Sequence, residues 1–331
     1  SQNIDSLKLV LTTAKHDTTK LRLLVQLSEE CELNDILKYA GPAVELADKL
    51  LQDKLIIKKG SLIKKQKATT LNNIGFIYDT QGDVSRALDY YSRSLKIREE
   101  IGDKQGIAES LNNIGLIYSN QGDIPKALDY YCKSLKLQED IGDKPAIANS
   151  LNNIWIIYYN QGDITKALDY HSRSLKMQED IGDKKGIAES LNNIGVIYYN
   201  QGDIPKALDC FSRSLKLKEE IGNRTGIAGS LTKIGGIYLK QKKYLLALSY
   251  SNSSLVISKE LGFPEDIRNA ERMVSRIDSA RGNYAGAFEH YKQFIIYRDS
   301  IGNEETRKAS YRSQLKYEYE KKELLLREEQ D

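Results

Sequence analysis

The sequence predicts an all-α fold, a right-handed α-α superhelix of about seven helix pairs followed by one C-terminal helix. Three observations carry this. A 40-residue block recurs almost letter for letter: LNNIGFIYDTQGDVSRALDYYSRSLKIREEIGDK begins at Leu71, LNNIGLIYSNQGDIPKALDYYCKSLKLQEDIGDK at Leu111, and the pattern returns at Leu151 and Leu191. A fixed period of this size marks a solenoid, in which each unit buries its apolar face only by stacking on its neighbours. Within a block the apolar residues fall twice at helical spacing, and a Gly-Asp pair closes each helical stretch.

The elements follow in order. Residues 18–60 form a degenerate first unit, with Leu24, Leu27, Ser28, Cys31 and Ala40 fitting the pattern loosely. Regular units occupy residues 64–262. In the block from Ile107, Leu111, Ile114, Gly115 and Tyr118 mark helix A at i, i+3, i+4, i+7. Gln121-Gly122-Asp123 stops it, with the glycine free to turn left-handed and the aspartate placed to cap the next helix. Ala127, Leu128, Tyr131, Ser134, Leu135, Leu137 and Ile141 mark helix B. Gly142-Asp143 repeats the stop and cap, and Pro145 sits in a first turn, where its missing N–H costs nothing. Residues 263–302 form a capping unit, because Glu271, Ser275 and Asp278 put polar groups at core positions. The solenoid thus spans residues 1–302. Residues 303–331 carry Glu318/Lys322 and Glu323/Arg327 at i, i+4, which supports a long solvated helix leading onward. Tyr311, Leu315 and Tyr319 are not continued on a heptad schedule, so a coiled coil is a weak expectation.

Composition narrows the partners. The 49 basic and 46 acidic side chains leave a formal charge of +3, which disfavours nucleic acid. Lys54, Lys58, Lys59, Lys64, Lys65 and Lys67 make the densest basic stretch, best read as a solvated helical face. Cys31, Cys132 and Cys210 lie far apart, with no disulfide or zinc spacing. No apolar run is long enough to cross a membrane, and no targeting segment precedes Ser1; a leader or a downstream region could have been removed.

These slots resemble the tetratricopeptide repeat, in its long-period form. The Gly slot holds Gly75, Gly115, Gly195 and Gly235; the Tyr slot holds Tyr78, Tyr118, Tyr158, Tyr198 and Tyr238; the Ala slot holds Ala40, Ala87, Ala127, Ala167, Ala207, Ala247 and Ala287. Gly and Ala let helices approach closely, and the tyrosines are expected to fill the wedge between units. Long-period relatives include the kinesin light chain type and several bacterial peptide-sensing proteins. The opening residues and RDSIGNEETRKASYRSQLKYEYEKKE are similar to the ends of extracytoplasmic modules in bacterial membrane-anchored sensor kinases and related signalling proteins. That resemblance implies a sensory or interaction module, extracytoplasmic and with a cytoplasmic location as the alternative.

Catalysis finds no support in the sequence. HExxH, GxSxG and P-loop patterns are missing, the three histidines look solitary, and Asp and Glu recur as caps, so the reading is a non-enzymatic module without cofactor or metal. The resemblance implies that A helices line a concave groove, with the two residues after the Leu slot on or near it. Here Asn73, Asn113, Asn153 and Asn193 with their preceding asparagines give way to Thr232-Lys233. Amides carry donors and an acceptor, so such a ladder can pair with the main chain of an extended peptide or protein segment. Leu116, Ile156 and Val196 add an apolar floor, and Asn120, Asn160 and Asn200 a polar rim. Specificity is expected where repetition fails, at Trp155, Lys233, Asn149 (against Glu109 and Glu189), Tyr159 and Tyr199. The alternative is an architectural solenoid, homo-oligomeric or single, with the asparagines bonded internally. Trp155 stands in the Gly slot opposite Ala167, where it is expected to overpack and be relieved by a repacked seam.

Overall fold

The computed structural model describes residues 2–53 and 60–301, without the side chains of Gln2 and Asn34. Among these residues it is all-α, with fifteen α-helices and one short 3-10 turn. The chain divides into two compact units, Ser1–Met177 and Gln178–Asp331. The first contains α1 (Gln2–Thr13), α2 (Asp17–Glu30), α3 (Ile36–Gln52), α4 (Gly60–Thr80), α5 (Val84–Ile101), α6 (Lys104–Asn120), α7 (Ile124–Ile141), α8 (Lys144–Asn160) and most of α9 (Ile164–Ile181). The second contains the end of α9, then α10 (Lys184–Gln201), α11 (Ile204–Glu220), α12 (Arg224–Lys240), α13 (Tyr244–Leu261), α14 (Pro264–Ala280) and α15 (Tyr284–Ile301). Even-numbered helices from α2 are A helices and odd-numbered ones from α3 are B helices, which gives the seven expected pairs. Helix α1 precedes them and had no counterpart in the sequence reading. Residues 303–331, expected to be helical, lie outside the described residues.

Caps fix the helix ends. Asp83, Asp103, Asp123, Asp143, Asp183 and Asp203 each accept a backbone N–H from the first turn of the helix they precede, and Asn223 does so for α12. Each such cap contributes about 1 kcal/mol. Left-handed glycines recur at 82, 102, 122, 142, 162, 182, 202 and 222, and again at 262 and 282. The gap in this series is Lys242, the one non-glycine residue with positive φ among those described, at 57°.

Burial follows the slots. Ala40, Ala87, Ala127, Ala167, Ala207 and Ala247 are fully buried and Ala287 nearly so. A Cβ built on Gly75, Gly115 or Gly195 would come within 2.8 or 2.9 Å of the ring of Tyr91, Tyr131 or Phe211 on the paired B helix. Only glycine fits there. Buried serines add a second fixed rung: Ser94, Ser134, Ser174, Ser214 and Ser254 donate to the carbonyls of Ala68, Ala108, Ala148, Ala188 and Ala228 at 2.7–3.0 Å. Their regular spacing ties B to A within every pair from α4/α5 to α12/α13.

The slot tyrosines pack into the seam with the preceding pair, Tyr118 against Ala87 and Tyr91 and Tyr158 against Ala127 and Tyr131, and they also stack within their own pair. Tyr78, Tyr118, Tyr158 and Tyr238 are half-buried and stack on Tyr90, Tyr130, Tyr170 and Tyr250 of their own pair, at 5.4–5.5 Å. Arg86, Lys126, Lys166 and Lys206 cover the outer faces of Tyr78, Tyr118, Tyr158 and Tyr198. Isoleucines such as Ile114 and Ile117 fill the interior beside them, packed against Tyr91.

Trp155 is accommodated by the ring that faces it. It is 7% exposed, and its ring lies 4.3 Å from that of His171, which occupies the slot of Tyr91, Tyr131 and Phe211. A smaller ring on α9 makes room for the larger one on α8, and the indole N–H donates to Asn152. His171 is fully buried and packs as a ring in that slot.

On α14 the polar core positions are paired. Glu271 is completely buried between Lys259, at 2.9 Å, and His290 Nδ1, at 2.6 Å, so His290 is not solitary. Ser275 donates to the Ala287 carbonyl at 2.8 Å.

Candidate functional site

The A helices present one face assembled by their own periodicity. In α6, Asn113, Leu116 and Asn120 stand at i, i+3 and i+7, and the same steps place Asn153, Ile156 and Asn160 on α8. Leu116 and Ile156 are 39% and 40% exposed, and Phe76 on α4, at the same slot, is 46% exposed. Three large apolar side chains on consecutive A helices therefore remain open to solvent in the first unit. Phe76 was not anticipated, because its block was read only for its Gly, Tyr and Asn slots. In the second unit Val196 is half-buried. Asn120, Asn160 and Asn200 are exposed at the ends of their helices.

The asparagines are half-buried, with Asn72 buried, and most are linked to one another. Asn113 Nδ2 donates to Asn72 Oδ1 at 3.1 Å, and Asn153 Nδ2 donates to Asn112 Oδ1 at 3.1 Å. At the head of the row, Asn73 Nδ2 donates to Ser28 Oγ at 3.1 Å. In the second unit Asn192 Nδ2 donates to Asn193 Oδ1 at 3.3 Å. Each bond uses one amide N–H of its donor and leaves the capacity for a second, together with the amide oxygen. The links also fix which way each amide points. Tyr159 meets Trp155 edge-on at 5.7 Å, and Lys240 lies 4.8 Å over Tyr199.

A cavity of about 320 Å³ opens on this face of the first unit, lined by Lys65, Thr69, Arg98, Glu109, Asn112 and Asn149 among others. Arg98 comes from helix α5 yet is only 3% exposed. Its guanidinium donates to the Gly106 carbonyl at 2.6 Å and to Ser110 Oγ at 3.0 Å, and pairs with Glu109 at 2.8 Å. Gln138 holds the same slot on α7 and donates to Ser134 at 3.0 Å. In the second unit the slot holds Gln178, which accepts from Ser190 at 2.7 Å, and Lys218, which donates to Ser230 at 2.9 Å. Sequence reasoning missed this column. Its signal was there: Arg98, Gln138, Gln178 and Lys218 vary while the Glu that follows each of them does not.

Burial together with the neighbouring Lys233 charge pulls the Lys218 ammonium down to about 8. Burial lowers Lys233 as well. Among the described lysines of the basic stretch, Lys64 pairs with Glu100 at 2.8 Å, Lys65 with Asp103 at 3.3 Å, and Lys67 with Asp48. Lys54, Lys58 and Lys59 lie outside the described residues. Cys31, Cys132 and Cys210 are unbonded to one another, and burial raises all three thiols. Among the described residues there is no His, Cys, Asp and Glu grouping able to hold a metal, and no helix long and apolar enough to cross a membrane.

Comparison with known proteins places this geometry. The tetratricopeptide repeat family pattern matches residues 66–140 and 146–220. No curated protein matches the sequence. Among solved structures, the apo form of RapI is similar with a TM-score of 0.56 at 18% identity, covering 86% of this chain and 99% of that one. BtubC (BKLC) from P. vanneervenii gives 0.54 at 18% identity, with 78% and 94% covered. A Signal Transduction ATPase with Numerous Domains protein with a tetratricopeptide repeat sensor, from Pyrococcus horikoshii, gives 0.55 at 17% identity; 96% of this chain covers 52% of that one. At these identities the likeness is one of fold. Taken with the glycine, alanine and tyrosine slots, the family match identifies residues 66–140 and 146–220 as tetratricopeptide repeats.

Proposed function

We propose that this protein is a binding scaffold whose A-helix faces hold an extended peptide or protein segment, and that it serves as the sensory or interaction region of a bacterial signalling protein. One observation carries the reading: asparagine amides, each oriented by a neighbour, stand beside solvent-open apolar side chains on consecutive A helices. An oriented amide with an N–H and an oxygen in reserve matches the alternating carbonyl and N–H of an extended main chain. Phe76, Leu116 and Ile156 would take apolar side chains of the bound segment. The fold likeness to a protein described as having a tetratricopeptide repeat sensor supports the signalling role.

A second reading is architectural, favoured by the same Asn–Asn bonds, which cross-link α4 to α6 and α6 to α8. Replacing Asn113, Asn153 and Asn193 together by alanine separates the two. Random dodecapeptides displayed on phage are selected on the wild-type chain, and the strongest binder is titrated against both proteins. The binding reading expects at least a tenfold loss of affinity, with thermal stability changed by only a few degrees. Unchanged affinity with a lower melting temperature, or failure to select any peptide, would overturn it.

A further inference from the structure

The outer faces of the B helices change character in the last two pairs. Each of α5, α7, α9 and α11 has charged side chains at four outward slots, as Lys126, Asp129, Lys133 and Lys136 on α7. Ion pairs run along and between these helices, Lys133 with Asp129 at 2.7 Å and Arg173 of α9 with Glu139 of α7 at 3.1 Å. The same four slots on α13 hold Leu246, Ser249, Ser253 and Val256, all exposed and none charged. On α15 they hold Gly286, Glu289, Gln293 and Ile296. Leu245, Leu246, Val256 and Ile296 are 76%, 46%, 56% and 56% exposed.

The ion pairing of this region has turned inward. Lys259 holds the slot of Glu139, yet it pairs with the buried Glu271 of α14 at 2.9 Å, and His290 of α15 meets the other oxygen of that carboxylate at 2.6 Å. One carboxylate is thus shared by α13 and α15, so these two B helices lie side by side and their outer slots form one surface. Surface charge keeps folded chains apart, and exposed apolar side chains in a group with a polar rim mark an interaction surface. From Leu245 to Val256 the α13 face runs about 17 Å, at 1.5 Å per residue. With the neighbouring α15 face it offers roughly 600 Å² per copy, the low end of what a specific dimer buries.

We infer that the outer face of α13, extended by Ile296 of α15, is a dimer interface on which a second copy of this chain packs the same face. Two properties select a second copy. Between Leu245 and Val256 the face carries no charge for an oppositely charged partner to match, and two like faces close about a twofold axis with every contact made twice. The residues also set the direction. A parallel copy would press the two Lys242-Lys243 pairs, at the start of α13, against each other. An antiparallel copy separates them, opposes the helix dipoles, and lays Leu245 of each chain against Val256 of the other. Between those ends stand Ser249, Asn252 and Ser253, whose short side chains let the helices approach closely. The peptide-binding reading uses the A-helix faces and does not depend on this surface.

Sedimentation velocity on the full chain tests this. The wild type is expected to pass from monomer to dimer across the micromolar range. A double variant, Leu246→Lys with Val256→Lys, installs the residues that α7 carries at those slots, Lys126 and Lys136, so folding is retained. It should weaken the dimer at least tenfold and leave the melting temperature of the dilute chain unchanged. The antiparallel register is read from Leu245→Lys and Val256→Glu, two exposed positions. Each variant should be monomeric alone, and an equal mixture should dimerise, because the lysine of one chain meets the glutamate of the other. A wild type that stays monomeric at every concentration, with the face open or taken by another partner, would overturn the interface. A dimer that the double lysine variant leaves intact would do the same, and a mixture that stays monomeric would overturn the antiparallel pairing. The peptide-binding reading is judged separately, by the triple asparagine variant.

Discussion

The seam between α5 and α6 and the seam between α11 and α12 are built on the same plan and end in opposite electrostatic states. Both bury a cation from the B helix against a serine of the next A helix: Arg98 on Ser110, Lys218 on Ser230. Arg98 is then satisfied by a carbonyl and a carboxylate, whereas Lys218 has neither. The frame is fixed by glycine, alanine and serine, and the charge balance at each seam is set independently of it. A repeat array can therefore vary its chemistry one seam at a time without changing that frame.

The largest expected effect tests whether the frame itself tolerates exchange. Trp155→Gly should cost about 3 kcal/mol in urea unfolding, because His171 is too small to fill the space vacated. Adding His171→Tyr should recover part of that loss, since it recreates the Gly115 and Tyr131 arrangement. A stable single variant would mean that the seam collapses freely, and that the frame is softer than its close contacts imply.

Next in size is the contrast between the two cations at neutral pH. Arg98→Met should destabilise by about 2 kcal/mol, the value of hydrogen bonds from a buried charged donor, while Lys218→Met should be neutral or stabilising. The second effect carries a sign in pH. Lys218 sits at about 8 in the folded chain against an ordinary 10.5, so between those values the unfolded chain binds more protons and wild-type stability rises with pH. The advantage of Lys218→Met should therefore shrink from pH 8 to 10.5, as read from paired melting curves. Equal behaviour of the two variants would erase the distinction between the seams.

The smallest effect is at Lys242, which adopts the left-handed conformation that glycine holds at the equivalent turns. Lys242→Gly should stabilise by about 0.5–1 kcal/mol, detectable as a rise in melting temperature.

Much of this organisation was legible in the sequence, for a definite reason. Helix pairing, Asp caps, glycine stops and the alanine slot depend on residues close along the chain, and the 40-residue period repeats each of them often enough to stand out. Three features were not legible. Arg98 and Lys218 look like surface charges on a helix, and only packing against the next helix shows them buried. The Trp155 and His171 exchange needed the facing position as well as the odd one. The direction of Asn113, toward Asn72 of the preceding A helix, cannot be read from the block containing it. Each depends on a partner in another helix, where a pattern read along one helix is silent.

The left-handed glycines have one further consequence. From Gly82 to Gly222 they fall at every twentieth residue, and nearly all are followed by an aspartate cap. A segment cut at two such turns forty residues apart begins and ends on the same joint, so its loss or duplication rejoins the chain at a turn it already uses. Genetic exchange within the gene can thus lengthen or shorten the array by whole repeats, and each repeat gained brings one more buried polar slot in which a new charge can be tried.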